Sequence, residues 1–303
     1  MLRKYYFVKA IKNLEEPSPV DLGLLFHKNT SINLSNAKET GERIQKFYRT
    51  IDVNEFVFPS KKYNRDRIRI KLPEININAF SYDLVRAIVT RRSVRIFSHE
   101  PVKLNELSAL LKLSSGVVSI QNEENHHIYH RPFPTAGGLN SCYVYLISIN
   151  VKDLPFGSYY YDPPAHELIK IRYYPTLEKS EFLNALVKIL GNQEWIKTAG
   201  LILIITGDYS KIKVKYGDRS YRYLLLEAGH IMQNFYLIAP MFNLGVCSIG
   251  GFYDDDIAKL ICVDNVNELV LYLGATGKLP RETSADDSTE TEPYPSKLDA
   301  PSV

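Results

Sequence analysis

LILIITGDYSKIKVKYGDRSYRYLLLEAGHIMQNFYLIAPMFNLGVCSIGG, residues 201–251, is the stretch on which the fold turns. Its first six residues, Leu201 to Thr206, are a continuous apolar run, which predicts a central strand buried on both faces. From about Tyr221 to Phe242 the chain is apolar nearly all round and predicts one long buried helix. Glu227, His230, Gln233, Asn234 and Pro240 lie inside it and would be costly in lipid, so the helix belongs to a protein core and not to a membrane. Between strand and helix, Lys213 to Arg222 reads as a basic, aromatic loop. Val246 to Ile249 reads as a short strand that ends on the pair Gly250-Gly251.

Upstream, Ser81 is placed to cap a helix that runs through Arg91, with Leu84, Val85, Ile88 and Val89 on one face. A second helix runs from about Lys103 to Ser115, with Leu104, Leu107, Leu110 and Leu111 on its buried side and Gly116 at its end. Strands follow at Tyr143–Ile149, Ser158–Tyr161 and Glu167–Ile171, and a helix near Glu181–Leu190. Downstream come a short helix at Asp255–Cys262 and a last strand at Leu269–Leu273. Helices and strands mix without a strict βαβ repeat. The fold class is therefore α+β: a central mixed or antiparallel sheet wrapped by helices around the long buried one. Residues 81–280 form the main domain. Residues 1–80 read as an N-terminal extension whose basic run Lys61–Lys71 is either a solvated surface segment or a docking face for a peptide or partner protein. Residues 281–303, rich in Ser, Thr, Pro and acids, read as a disordered tail.

The chain has 303 residues, 45% hydrophobic and 23% charged, the balance of an ordinary globular protein. The tail carries six acids and two bases against a net charge of +3 for the whole chain, which leaves +7 on residues 1–280. That excess suits a phosphate-bearing cofactor or an acidic peptide and is too diffuse for nucleic acid. Cys142, Cys247 and Cys262 lack metal-ligand spacing and read as reduced thiols. The N-terminus shows no apolar core of a secretory signal, so a cytoplasmic location is expected.

Five segments carry candidate chemistry. Arg91-Arg92-Ser93-Val94-Arg95 offers guanidinium forks and a hydroxyl to an anion. In His130-Arg131-Pro132-Phe133-Pro134-Thr135-Ala136-Gly137-Gly138, two prolines stiffen the entry and small residues let backbone approach something flat. Lys215 and Tyr216, side by side after the central strand, are candidate proton-transfer groups. Lysine and tyrosine both titrate near about 10 in water, so burial or a neighbouring cation would have to tune them. Glu227, His230 and Asn234 share one face of the long helix, where they either line a cofactor pocket or are satisfied across a subunit interface. Gly250 and Gly251 let backbone come close to a ligand, although no dinucleotide-binding glycine fingerprint is present.

From about residue 60 to Lys278 the chain resembles the SagB-type dehydrogenases of the nitroreductase superfamily, the FMN enzymes of thiazole- and oxazole-modified peptide biosynthesis. The resemblance is carried by KKYNRDRIRIKLP, RRSVRIF, HRPFPTAGGLNSCYVYLISINVKDLPFGSYYYDPPAHELI, KYGDRSYRYLLLEAGHIMQNFYLIA and LGVCSIGGFYDDDIAKLI, in family order and with family-like gaps. It implies that Arg91, Arg92, Ser93 and Arg95 hold the FMN phosphate, with Lys278 as a second contact. Pro134, Thr135, Ala136 and Gly137 would lie along the flavin ring, Asn234 would line its pocket, and Gly250 and Gly251 would stand near N5. Lys215 and Tyr216 match the lysine and tyrosine of azoline oxidation. Thr135 replaces the more frequent serine, and Gly138-Leu139-Asn140 departs from the usual small-apolar-Tyr-Pro run. The resemblance further implies a homodimer with FMN at the subunit interface, an azoline-containing precursor peptide as substrate and cyclodehydratase partner proteins. Two other readings remain open on the sequence: an NAD(P)H-dependent nitro- or quinone-type flavin reductase, and a non-catalytic flavin-bound scaffold subunit of a peptide-modifying complex.

Overall fold

A computed structural model describes residues 22–32, 36–51, 63, 66–76, 79–80, 83–123, 126–173 and 179–280. In chain order, the described elements are α1 (Leu22–Asn29), α2 (Ala37–Thr50), β1 (Arg69–Lys71), α3 (Leu84–Thr90), α4 (Leu104–Ser115), β2 (Ser119–Glu123) and β3 (His126–His130). There follow β4 (Cys142–Ser148), β5 (Gly157–Asp162), β6 (Glu167–Tyr173), α5 (Lys179–Ile189), β7 (Leu201–Asp208), α6 (Tyr209–Tyr216), α7 (Ser220–Ile238), β8 (Leu244–Ile249), α8 (Asp254–Ile261) and β9 (Glu268–Lys278).

Seven strands form one sheet in the order β1-β6-β5-β4-β7-β9-β8, and every pairing in it is antiparallel. β2 and β3 form a separate hairpin. The apolar run of β7 is interior, as expected, and alternation along it feeds two cores. Leu201, Leu203 and Ile205 pack with Leu224, Ile231 and Phe235 of α7 on one face. Ile202 and Ile204 pack with Leu186 of α5 and Ile257 and Ile261 of α8 on the other. The sheet is thus a middle layer, and α7 covers the face on which the candidate chemistry collects.

Several sequence expectations change. The segment expected as a loop after β7 is helical: Asp208 caps α6 by accepting the Lys211 N–H, which carries Lys215 and Tyr216 on its last turn. α3 starts at Leu84, where the carboxylate of Asp83 accepts the Arg86 N–H at 3.1 Å; Ser81 lies outside the described residues. The apolar face of α3 points outward, with Leu84, Val85 and Ile88 more than half exposed and Ala87 buried. β9 runs on through Gly274 and Gly277 to Lys278, because its partners β7 and β8 pair along that whole length. The tail 281–303 lies outside the described residues, as does part of Lys61–Lys71, whose described end forms the edge strand β1. Among the described residues, no helix is long and apolar enough to cross a membrane.

Candidate functional site

Lys215 is 1% exposed, although lysine is almost never fully buried without partners. Its Nζ donates to the Tyr48 hydroxyl at 2.6 Å and to the Gly137 carbonyl at 3.5 Å. Three rings face the same amine, those of Tyr48 at 4.3 Å, Tyr216 at 5.1 Å and Phe47 at 5.3 Å from their centres. Such ring faces stabilise a cation while leaving it without a counter-charge. Burial raises the pKa of the Tyr216 phenol, and Lys215 beside it partly offsets that rise. A lysine amine and a phenol in mutual contact, screened from water, can move a proton.

The amine lies against the loop that the sequence singled out. Gly137 has φ +59°, and a Cβ there would overlap both Lys215 Nζ and the Tyr216 hydroxyl, so the close approach requires glycine. The long helix fixes the same loop from behind. Glu227 Oε1 accepts the Ala136 N–H at 2.7 Å, and Asn234 Nδ2 donates to the Pro132 carbonyl at 2.9 Å and the Ser114 carbonyl at 3.2 Å. Pro134, Gly137 and Gly138 are exposed, and Thr135 and Ala136 half-buried, so the loop presents backbone outward. Glu227 is 3% exposed, and its Oε2 has no hydrogen-bond partner among the described residues. Burial pushes its carboxyl up, opposed by the Ala136 N–H, the Cys142 thiol and the charges of Arg131 and Lys211. Of the predicted polar stripe, Glu227 and Asn234 turn inward and His230 is exposed.

The arginine cluster forms a second locus. Val94 N–H donates to the Val246 carbonyl at 2.9 Å and pins the segment alongside β8. Ser93 Oγ lies 3.1 Å from the Tyr236 hydroxyl, which also accepts the Ser248 N–H at 2.7 Å, and Arg91 stacks 5.2 Å over the Tyr236 ring. Arg91 and Arg92 line a cavity of about 310 Å³ with Arg86, Tyr236, Gly245 and Leu279. Arg92, Ser93 and Arg95 are exposed, and the charge of Arg95 acts on Cys247. Glu227 and Tyr236 are nine residues apart on α7, about 13 Å at an α-helical rise, so one chain keeps the two loci on separate turns.

Lys278 is not among the residues that line that cavity. Its ammonium is 2.7 Å from Glu106 Oε1 and 2.9 Å from the Phe242 carbonyl, an ion pair whose side chains are 10% and 12% exposed. Gly250 and Gly251 are exposed after β8, with open space where a Cβ would point.

The sequence pattern of the Nitroreductase family matches residues 88–278, well over half of the chain. The chain belongs to the nitroreductase family. A Methanocaldococcus jannaschii protein named as a nitroreductase is 31% identical over 212 residues, covering 69% of this chain and 97% of its own length. Among solved structures, one named as a nitroreductase of Anabaena variabilis superposes with a TM-score of 0.58 at 30% identity. It covers 72% of this chain, whereas this chain spans only 43% of its length. A chain from the E. coli microcin synthetase McbBCD complex with truncated pro-MccB17 bound shares the fold, with a TM-score of 0.54 at 20% identity. That likeness covers 87% of this chain and all of the other. The family match takes in Arg91 to Arg95, the 134–138 loop, Lys215, Tyr216, Gly250, Gly251 and Lys278. It leaves out Phe47 and Tyr48, which the sequence reading also missed. The signal there was Ile44, Phe47 and Tyr48 at helical spacing on one face of α2.

Proposed function

We propose that this nitroreductase-family chain is an FMN-dependent dehydrogenase that oxidises thiazoline or oxazoline rings of a ribosomally made peptide to thiazoles or oxazoles. The observation that carries the reading is the Lys215 amine, buried against Tyr216 and against the backbone of Gly137. A reductase fed by a nicotinamide takes its hydride from one cofactor and has less need of a buried amine beside a phenol. The McbBCD likeness supports the reading, because it reaches further along this chain than the likeness to the Anabaena structure.

The residues fit FMN. The arginine-lined cavity beside Ser93 suits a phosphate, and the outward backbone of Pro134 to Gly137 suits a flat ring. When bound, FMN supplies the acceptor for a hydride. Turning an azoline into an azole removes two hydrogens, one as hydride and one as a proton. Lys215 Nζ takes the proton, with Tyr216 positioning it. Glu227 and Asn234 hold the loop still, so that the amine and the ring-facing backbone keep their separation. Gly250 and Gly251 offer backbone N–H groups to the ring system from the end of β8.

The exposed apolar residues of α3 (Leu84, Val85, Ile88) and α7 (Leu225, Leu226) favour a homodimer, and the two loci separated along α7 suit a cofactor that bridges subunits. The three free thiols suit a cytoplasmic setting. A cyclodehydratase supplies the azoline peptide.

The test is an absorbance spectrum of the purified protein followed by anaerobic addition of a short thiazoline peptide. Flavin bands that bleach with a two-dalton loss in the peptide are expected. Bands that ignore the peptide and bleach with NADPH alone favour the nitro- or quinone-type reductase, a reading that the names of the two more similar relatives also suggest.

A further inference from the structure

Helix α2 lies outside the family match, yet it reaches into the centre of the candidate site. Phe47, 2% exposed, anchors its last turn in the main core. Arg43 packs so closely on the cap of α6 that a Cβ at Gly217 would overlap its guanidinium, and Gly217 has φ +59°. Thus fixed at two points, α2 carries Tyr48 over Lys215. The Tyr48 hydroxyl accepts from Nζ at 2.6 Å, the shorter of the two hydrogen bonds described for that amine, and its ring lies 4.3 Å from Nζ. Tyr48 is itself 55% exposed, so it is one point where the buried amine meets the surface.

From this geometry we infer that Tyr48 is a positioning residue for Lys215: the N-terminal helix supplies the hydroxyl that fixes the amine against the Gly137 carbonyl. The inference rests on the reading of Lys215 as proton acceptor only for its catalytic consequence; the positioning itself concerns residues of this chain. A lysine has four rotatable side-chain bonds, and rings alone define no direction for its hydrogens. The short bond to Tyr48 supplies that direction. It also gives residues that precede the catalytic domain a specific task at its site.

Two measurements test this on the full-length protein. The first needs no turnover: acetic anhydride labels amines, and mass spectrometry of the Lys215 peptide gives the rate across pH 6 to about 10, the range in which lysine amines become reactive. Tyr48→Phe should raise the rate roughly fivefold, the effect of one ordinary hydrogen bond on a population. Tyr48→Ala should bring it near that of surface lysines. The second is oxidation of a thiazoline peptide. Tyr48→Phe should lower kcat by about 100-fold, the scale of a misplaced reacting group, with KM unchanged and the pH profile of kcat displaced. A merely structural tyrosine would lower the melting temperature without moving that profile.

If wild-type protein oxidises the peptide and Tyr48→Phe keeps its kcat and pH profile, the inference is overturned and the azoline reading stands. If wild type oxidises nothing while labelling responds to both variants, the positioning stands and the azoline reading is what failed. Labelling at the wild-type rate in both variants overturns the positioning in either case.

Discussion

Two of the buried lysines of this molecule, Lys278 and Lys215, keep opposite company. Lys278, 8% exposed, meets a carboxylate, Glu106, at 2.7 Å. Lys215, 1% exposed, meets phenols and a carbonyl. Charge pairing offsets the cost of burying Lys278, and removing either side chain would strand the other. A phenol, ring faces and a carbonyl lower the cost of burying Lys215 without placing a carboxylate against its amine. The difference separates a lysine that holds the fold from one that can do chemistry, and burial alone would not have told them apart.

The sharpest way to break the contrast is Lys215→Ala. Oxidation of a thiazoline peptide should fall by roughly 10²–10⁴-fold, the usual contribution of positioned proton transfer, with flavin retained. A wild-type rate of azole formation, read by the two-dalton loss, would remove Lys215 from the mechanism. Next comes Lys278→Ala. It strands a buried carboxylate and should cost about 3–5 kcal/mol in chemical denaturation, while a Glu106→Gln, Lys278→Met pair should cost much less. Loss of flavin from the single variant without loss of stability would make Lys278 a phosphate contact before a structural one. Gly137→Ala is smaller: φ +59° alone should cost about 1–2 kcal/mol. The overlap with Lys215 and Tyr216 should in addition slow turnover; unchanged stability and rate would mean that the loop does not press on the amine.

The smallest effect concerns another buried base. His166, 4% exposed, lies 2.9 Å from both Ser108 Oγ and the Tyr161 hydroxyl. Ser108 donates to the Pro73 carbonyl, so His166 Nε2–H donates to Ser108 and Tyr161 donates to Nδ1. A second ring proton would oppose Tyr161. Burial, then Lys112, pushes the His166 pKa down, so the unfolded chain takes the proton first. Its contribution to stability is therefore complete above about pH 6.5, the ordinary histidine value, and is lost as pH falls below it. Urea denaturation from pH 7.5 to 5.5 (a range about one unit to each side) should show a steeper decline for wild type than for His166→Asn. Glu227, pushed up by burial, acts in the opposite sense, because the folded chain takes up its proton first on acidification. Comparison with the variant isolates the histidine; parallel curves would assign His166 no role in pH dependence.

Much of the fold was legible because period and length survive without tertiary information. The run Leu201–Thr206 could only be an interior strand, and α4 ends at Gly116 as its residues foretell. The helix α6 was not legible: Tyr209 to Tyr216 has weak apolar periodicity, and its start depends on the Asp208 cap, a local hydrogen bond with a common side chain. The outward direction of the apolar face of α3 was not legible for a different reason. Periodicity shows that a face is apolar and is silent on what covers it. Asn234 and Glu227 were correctly placed on one face, but that they clamp Pro132 and Ala136 needed the loop's position.

What the sequence determined by itself was the inventory and its order: an α+β sheet, a long helix, an arginine cluster, a stiff small-residue loop and a lysine-tyrosine pair. Each follows from side-chain chemistry and short-range spacing, which a linear chain displays openly. What only the tertiary structure decided was company. Lys215 and Lys278 look equally available along the chain, and Tyr48 stands 167 residues from the amine it touches. Contacts at that separation are fixed by how helices dock on the sheet, through packing and desolvation that no local pattern encodes.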